Sequence, residues 1–330
     1  MKWFRDYDIL YPELILDILE YFDVSNGDIN TKTVYNFCHQ YKGGPIGGSP
    51  QVQPNTIVKI CERLYDNDIL SVNSRGGLLG MNNNYSFAIR NRDFWVSNRK
   101  KLCHYYSSLV YGFEFIYNSY RDKVLPIIAY NDGKQSMGSC FKYLNGIITA
   151  KHCLVDGQKI SIRGISAEEL NNAKVYVSKN LDIDVAYIDL GIPVEVWGED
   201  PFVLDEILVM GYPMIPRFLN FCTAEKATIS TIADLRMTPS RGAITAMAGE
   251  IFTAKDTLLM LITARIKGGN SGGPVINKNG SVIGVAVSDP IGEGNNYDDL
   301  GYGVAYPIGI ISNILNNPEL LEVDFIDFTE

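Results

Sequence analysis

Histidine is almost missing from this chain: three residues in 330, at positions 39, 104 and 152. Any reaction that needs an imidazole base has only these places to look. Cysteine is sparse as well. Cys38, Cys61, Cys103, Cys140, Cys153 and Cys222 are irregularly spaced, with no CxxC pair, so a zinc centre is not indicated. Buried free thiols in a reducing compartment are the expectation. No stretch approaches the roughly 20 apolar residues of a membrane-spanning helix. The first residues, MKWFRDYDILYPELILDILEYF, are interrupted by Arg5, Asp6, Asp8, Glu13 and Asp17 and lack a small-residue cleavage site, which is unlike a signal peptide. A cytoplasmic location is therefore expected. Positive charge is also in short supply. The net charge of -9 disfavours nucleic acid as the main partner, because phosphate electrostatics dominate that affinity.

What is present divides the chain in two. Hydrophobic residues make up 46%, enough for sizeable cores. Residues 1–105 carry 12 Lys/Arg against 11 Asp/Glu, and the remainder 17 against 27, so the acidity belongs to the second part. Over residues 1–91 the pattern is mainly helical. Leu10, Leu14, Ile15, Ile18, Leu19 and Phe22 recur at helical spacing. Residues 31–41 form a second amphipathic segment, and the Gly/Pro-rich stretch 43–50 breaks the chain. Pro54 opens a third helix to about Asn67. Ile69, Leu70 and Val72, a turn at Arg75-Gly76-Gly77, and alternating Tyr85, Phe87 and Ile89 then read as a two-stranded hairpin. This order resembles a winged-helix domain, with a death-fold-like adaptor as the alternative. The third helix offers Lys59 and Arg63 but also Glu62 and Asp66, with Asp68 just after it and Arg75 alone near the wing tip. Protein binding, substrate capture or autoinhibition fits that surface better than DNA. Residues 92–112 are expected to be a connecting helix with Arg99, Lys100 and Lys101 exposed. From residue 113 to 316 short apolar strands alternate with turns, including Asn279-Gly280, which argues for an antiparallel all-β barrel or sandwich. Residues 317–330 are expected to be a solvated acidic tail.

The chemistry starts at Gly268-Gly269-Asn270-Ser271-Gly272-Gly273-Pro274. Acyl transfer needs a serine on a sharp turn, with convergent backbone amides to hold an oxyanion. Gly269 and Ser271 would donate those amides. A plain glycine-rich turn has the same composition, so the base decides. His39 and His104 lie in the helical part. His152 ends the apolar strand Gly146-Ile147-Ile148-Thr149-Ala150, where an imidazole faces a cleft. The base needs a carboxylate to orient it, and Asp184 stands immediately before the apolar run Val185–Leu190. Asp182 is its nearest competitor.

TAKHC around His152, DVAYIDL from Asp184 and GGNSGGP around Ser271, in that order, resemble the trypsin-like (chymotrypsin-fold) serine proteases, and among them the HtrA-type and related intracellular branches. Gly138-Ser139-Cys140-Phe141, the segment ending Gly211-Tyr212-Pro213, and Gly303–Ile308 add to the likeness, which covers residues 113–316. The resemblance implies a double β-barrel and a cofactor-free serine endopeptidase acting on protein substrates. His152, Asp184 and Ser271 would be its triad, and Gly269 and Ser271 its oxyanion hole.

The departures carry information. Asn270 stands where digestive members have the aspartate that receives a cleaved N-terminus, so regulation is expected from the first domain or a partner. Too few residues follow Pro307 for the C-terminal PDZ domain common in HtrA-type chains. Cys140 and Cys153 are similar in place to a disulfide of secreted members. The resemblance puts the primary specificity pocket at Arg265, Lys267, Ala286, Val287 and Ser288. Arg265 either lines it, favouring an acidic side chain, or points outward. Two other function classes stay open: a DNA- or protein-binding regulator whose protease-like domain senses or cleaves its own chain, and a binding pseudoenzyme.

Overall fold

The computed structural model describes residues 9, 11–41, 53–131, 134–155, 159–213, 236–248, 258–287 and 302–328. Leu10, the 43–50 breaker, Cys222 and Ser288 lie outside them. The chain forms two compact units, Met1–Asn118 and Ser119–Glu330. No helix among the described residues is long and apolar enough to cross a membrane.

In the first unit, α1 (Leu14–Tyr21) buries the stripe expected from its spacing: Leu14, Ile15, Ile18 and Leu19 are fully enclosed. α2 (Val34–Gln40) starts where the Thr33 hydroxyl accepts the Asn36 N–H at 3.1 Å, a side-chain N-cap. α3 (Pro54–Asp66) opens on a proline at its first position, where the missing N–H has no intrahelical partner to lose. Two antiparallel strands follow, β1 (Ser71–Ser74) and β2 (Asn84–Ser86), with Val72 opposite Tyr85. The first strand begins two residues later than the apolar run suggests, although Leu70 still packs in the core.

Residues 92–112 differ from the expected connector. α4 (Arg92–Ser97) and α5 (Arg99–Tyr111) place Trp95 and Val110 in the same apolar core as α1 and α3. Trp95 Nε1 donates to Glu20 at 2.7 Å. Arg99 is not a free surface charge: its guanidinium meets Glu13 at 3.0 Å, Asp17 at 3.4 Å and Glu20 at 2.8 Å. Two helices whose aromatic and arginine find partners some 80 positions earlier belong to that core.

The second unit is β-rich. One closed antiparallel barrel runs β9 (Glu206–Gly211), β10 (Thr238–Ala248), β11 (Leu259–Ile262), β14 (Gly303–Pro307), β13 (Val282–Val287) and β12 (Pro274–Asn277), returning to β9. Its interior is Ile207, Val209, Ile244, Met260, Ile262, Val275 and Ile283, at roughly 1.5–3 kcal/mol for each such side chain removed from water. The Asn279-Gly280 hairpin joins β12 to β13; the Asn277 side chain accepts the amides of Asn279 and Ser281 at 3.1 and 3.0 Å.

The other half is a seven-stranded sheet rather than a second closed barrel. Its order is β15 (Pro318–Leu320), β7 (Lys174–Ser178), β8 (Ala186–Asp189), β5 (Gly146–Thr149), β4 (Lys134–Tyr143), β3 (Val124–Asn131) and β6 (Lys159–Ile162). The segment expected to be a solvated tail is what occupies both edges. Pro318–Leu320 pairs with β7. Farther on, Ile160 donates to Asp324 at 2.9 Å and accepts from Ile326 at 2.8 Å, while Phe325 is buried. Unpaired strand edges are costly to leave bare, and here the end of the chain covers one and then the other.

Candidate active site

Strand register assembles the first two residues. β5 is buried along its length and pairs with β8, Thr149 opposite Ala186. Two residues past that pair, the chain after β5 and the chain before β8 meet. Lys151 N–H donates to the Asp184 carbonyl at 3.3 Å. His152 opens the one-turn helix His152–Val155, and its amide donates to Asp184 Oδ1 at 2.8 Å. Its ring Nδ1 lies 2.6 Å from Asp184 Oδ2. One carboxylate thus fixes both the backbone and the ring of His152. With Nδ1 held by Asp184, Nε2 is the ring nitrogen left to a general base. Both side chains are part-buried, His152 36% and Asp184 21% exposed. Burial, the largest influence, pulls the His152 pKa down. Asp184 foremost, with Cys153, outweighs it and holds the imidazole above its ordinary value.

The serine turn is built by alternation of its amides. Asn270 N–H closes a turn onto the Lys267 carbonyl at 2.9 Å, and Gly273 N–H closes another onto Asn270 at 2.9 Å. Gly269, at φ 98°, sits between them in the left-handed region, where glycine is at no disadvantage. Gly272, at φ 84°, has no room for a Cβ: one would run into the Ser139 carbonyl and the Ala150 amide. Ser271 is 2% exposed. It walls a cavity of about 200 Å³ together with His152, Cys153, Gly138, Gly268 and Gly269. Of the residues singled out in sequence, His152, Gly269 and Ser271 therefore share one cavity, with Asp184 directly behind His152.

The pocket residues do not join them. Arg265 and Lys267 are exposed on either side of buried Ile266, and the Arg265 amide donates to Ser240 Oγ at 2.9 Å. Ala286 and Val287 are fully buried, and none of these four walls the cavity. Cys140 and Cys153 are free thiols; burial raises the pKa of Cys140.

Two supporting residues had no signal in the motifs. Ser139, fully buried on β4, donates its amide to the Ser271 carbonyl at 2.8 Å and its hydroxyl to the Gly269 carbonyl at 2.7 Å. The same hydroxyl accepts the Tyr212 N–H at 2.8 Å. It braces the serine turn from beneath. Tyr306 on β14 accepts the Asp184 N–H at 3.4 Å and donates to the Asp182 carbonyl at 2.8 Å. Ser139 lay within a quoted stretch, but its spacing carries no role; Tyr306 is one of 20 tyrosines.

Residues 138–285 match the family described as trypsin-like peptidase domain. Protease Do-like 2, chloroplastic, from Arabidopsis thaliana is 27% identical over 193 residues, covering 56% of this chain. The chain spans 28% of that relative's length. Among solved structures, a Mycobacterium tuberculosis protease in its active form has a TM-score of 0.44 at 19% identity, over 63% of this chain and 86% of that one. A serine endoprotease from Yersinia pestis has a TM-score of 0.41 at 20% identity, over 61% and 64%. The family match spans His152, Asp184 and Ser271, so the segment of the β-rich unit that carries all three is similar to a trypsin-like peptidase domain.

Proposed function

We propose that the protein is a serine endopeptidase that cleaves protein substrates through an acyl-enzyme. The observation that carries this reading is the 2.6 Å contact between His152 and Asp184 behind a cavity that His152 shares with Ser271. In the proposed cycle His152 takes the Ser271 proton as the hydroxyl oxygen attacks a peptide carbonyl. The resulting oxyanion is held by the amides of Gly269 and Ser271. His152 then protonates the leaving amine, and water, activated by the same imidazole, releases the acyl group. No metal or organic cofactor enters these steps. The free thiols of Cys140 and Cys153 support a reducing, intracellular setting.

The first unit is proposed as a winged-helix-like regulatory or protein-binding element. Arg75, the basic residue of its hairpin, is paired with Glu62 at 3.1 Å, which weakens a DNA footprint further. Fluorophosphonate labelling tests the whole reading: a labelled wild type and an unlabelled Ser271→Ala support it. Absence of labelling in both the full chain and residues 119–330 would favour a binding protein that has kept the protease fold.

A further inference from the structure

The cavity at Ser271 lies on one particular side of the nucleophile. Its outer wall is the sheet that carries His152: Ile127 and Ala129 from β3, Ser136 and Met137 from β4, and Cys153 beside the imidazole. Ile127 and Ala129 are two apart on one strand, so both present the same face to it. Gly138 forms its floor because a side chain there would collide with the Cys153 sulfur. On the opposite side of the serine turn Gly272 N–H donates to Ala286 on β13 at 2.7 Å, and β13 contributes nothing to the cavity. During peptide cleavage the amine that leaves takes its proton from His152. The residue carried away with that amine is therefore the one placed against the wall containing His152.

We propose that this cavity is the specificity subsite for the residue immediately after the scissile bond, and that it selects an aliphatic side chain of about leucine size. The inference rests on the endopeptidase reading and adds a substrate class to it. Among the described residues His152 and Cys153 are the titratable ones that line the space; the proposed cycle needs His152 neutral, so a charged group entering it would lose water without gaining a partner. A volume near 200 Å³ is below that of pockets for drug-sized ligands and suits one side chain. Met137 gives an adaptable wall.

The test uses the full-length protein and an acyl-enzyme formed from blocked amino-acid thioesters, choosing the acyl side chain that reacts fastest. Amino-acid amides then compete with water for it. The amine nitrogen attacks the acyl carbonyl, a C–N bond forms as the bond to Ser271 Oγ breaks, and His152 passes the amine proton to that oxygen. The product ratio with leucinamide and glycinamide reads the subsite directly, and changes in overall rate cancel. Leucinamide should win by about tenfold or more. Ala129→Leu, which fills the cavity, should bring the ratio towards one. Ile127→Ala, which enlarges it, should move preference towards phenylalaninamide and serves as the test if Ala129→Leu does not fold. Equal partition in the wild type, or a preference indifferent to both substitutions, overturns the subsite while leaving the peptidase intact. Failure of every thioester to acylate Ser271 overturns the peptidase reading itself, and the subsite with it.

Discussion

Asp184 reaches His152 through two separate atoms, and its replacement has a calculable signature. Asp184→Asn keeps the shape of the side chain but can donate where a carboxylate only accepts, so it favours the wrong imidazole tautomer. The turnover number should fall by about 10⁴, with little change in KM. The pH profile moves too. The proposed cycle needs neutral His152, so activity should rise as pH passes its pKa, and in the folded wild type that pKa is raised. The acid limb should therefore lie alkaline of about 6.5, the ordinary imidazole value, and Asp184→Asn should bring it down. Linkage has the same sign: protonated His152 stabilises the fold below its unfolded pKa, and that contribution fades as pH rises through the folded one. An unmoved limb in the variant would assign it to another group. Tyr306 is a subtler case, because its hydroxyl touches only backbone on either side of Ile183. Tyr306→Phe should lower stability by about 1 kcal/mol and the turnover number by about tenfold or less. Its effect should fall on the turnover number rather than KM, with the acid limb shifted towards 6.5 as Asp184 loosens. A loss of stability with unchanged kinetics would make Tyr306 structural only.

At the scale of strands and helices, the parts of the site legible in the sequence are those that combine local pattern with chemical necessity. The apolar run before His152 and the one after Asp184 became β5 and β8, and their pairing is what turns two distant motifs into one contact. The glycines around Ser271 read as a sharp turn, and Gly269 and Gly272 adopt positive φ in it. Ser139 and Tyr306 were illegible because their value lies in partners more than 100 positions away, and spacing records nothing of that. The orientation of Arg265 was illegible for a related reason: a one-residue alternation decides which side of the chain a side chain takes, and Arg265 falls on the exposed side of Ile266. The end of the chain misled through composition. Its acidic residues read as solvated, but Phe325 is the anchor and the backbone supplies the rest. Phe325→Ala should accordingly destabilise the β-rich unit by about 3–5 kcal/mol, seen as a lower midpoint in urea. A shift within about 0.5 kcal/mol, the range of ordinary surface substitutions, would mean that the segment is dispensable.

On the scale of the whole chain, the boundary between units has consequences that a boundary placed by texture would miss. Residues 92–112 read as a connector because the helix is polar on much of its surface, with Arg99, Lys100 and Lys101 in series. Yet Trp95 and Val110 complete the apolar core of the first unit, and Arg99 pairs with Glu13, just before α1, and with Asp17 and Glu20 on it. A fragment ending at residue 91 keeps Glu13, Asp17 and Glu20 close together at and along α1 without that cation. It also opens the socket that Trp95 fills. Losing a buried tryptophan alone costs about 3–5 kcal/mol, much of the 5–15 kcal/mol that holds an ordinary domain together. Residues 1–118 should therefore unfold cooperatively on heating and show near-ultraviolet dichroism from fixed aromatic rings. Residues 1–91 should lack both the transition and the signal. If the shorter fragment melts as sharply and at the same temperature, the two helices are an appendage after all, and the interactions of Arg99 are those of a surface salt bridge with little net effect.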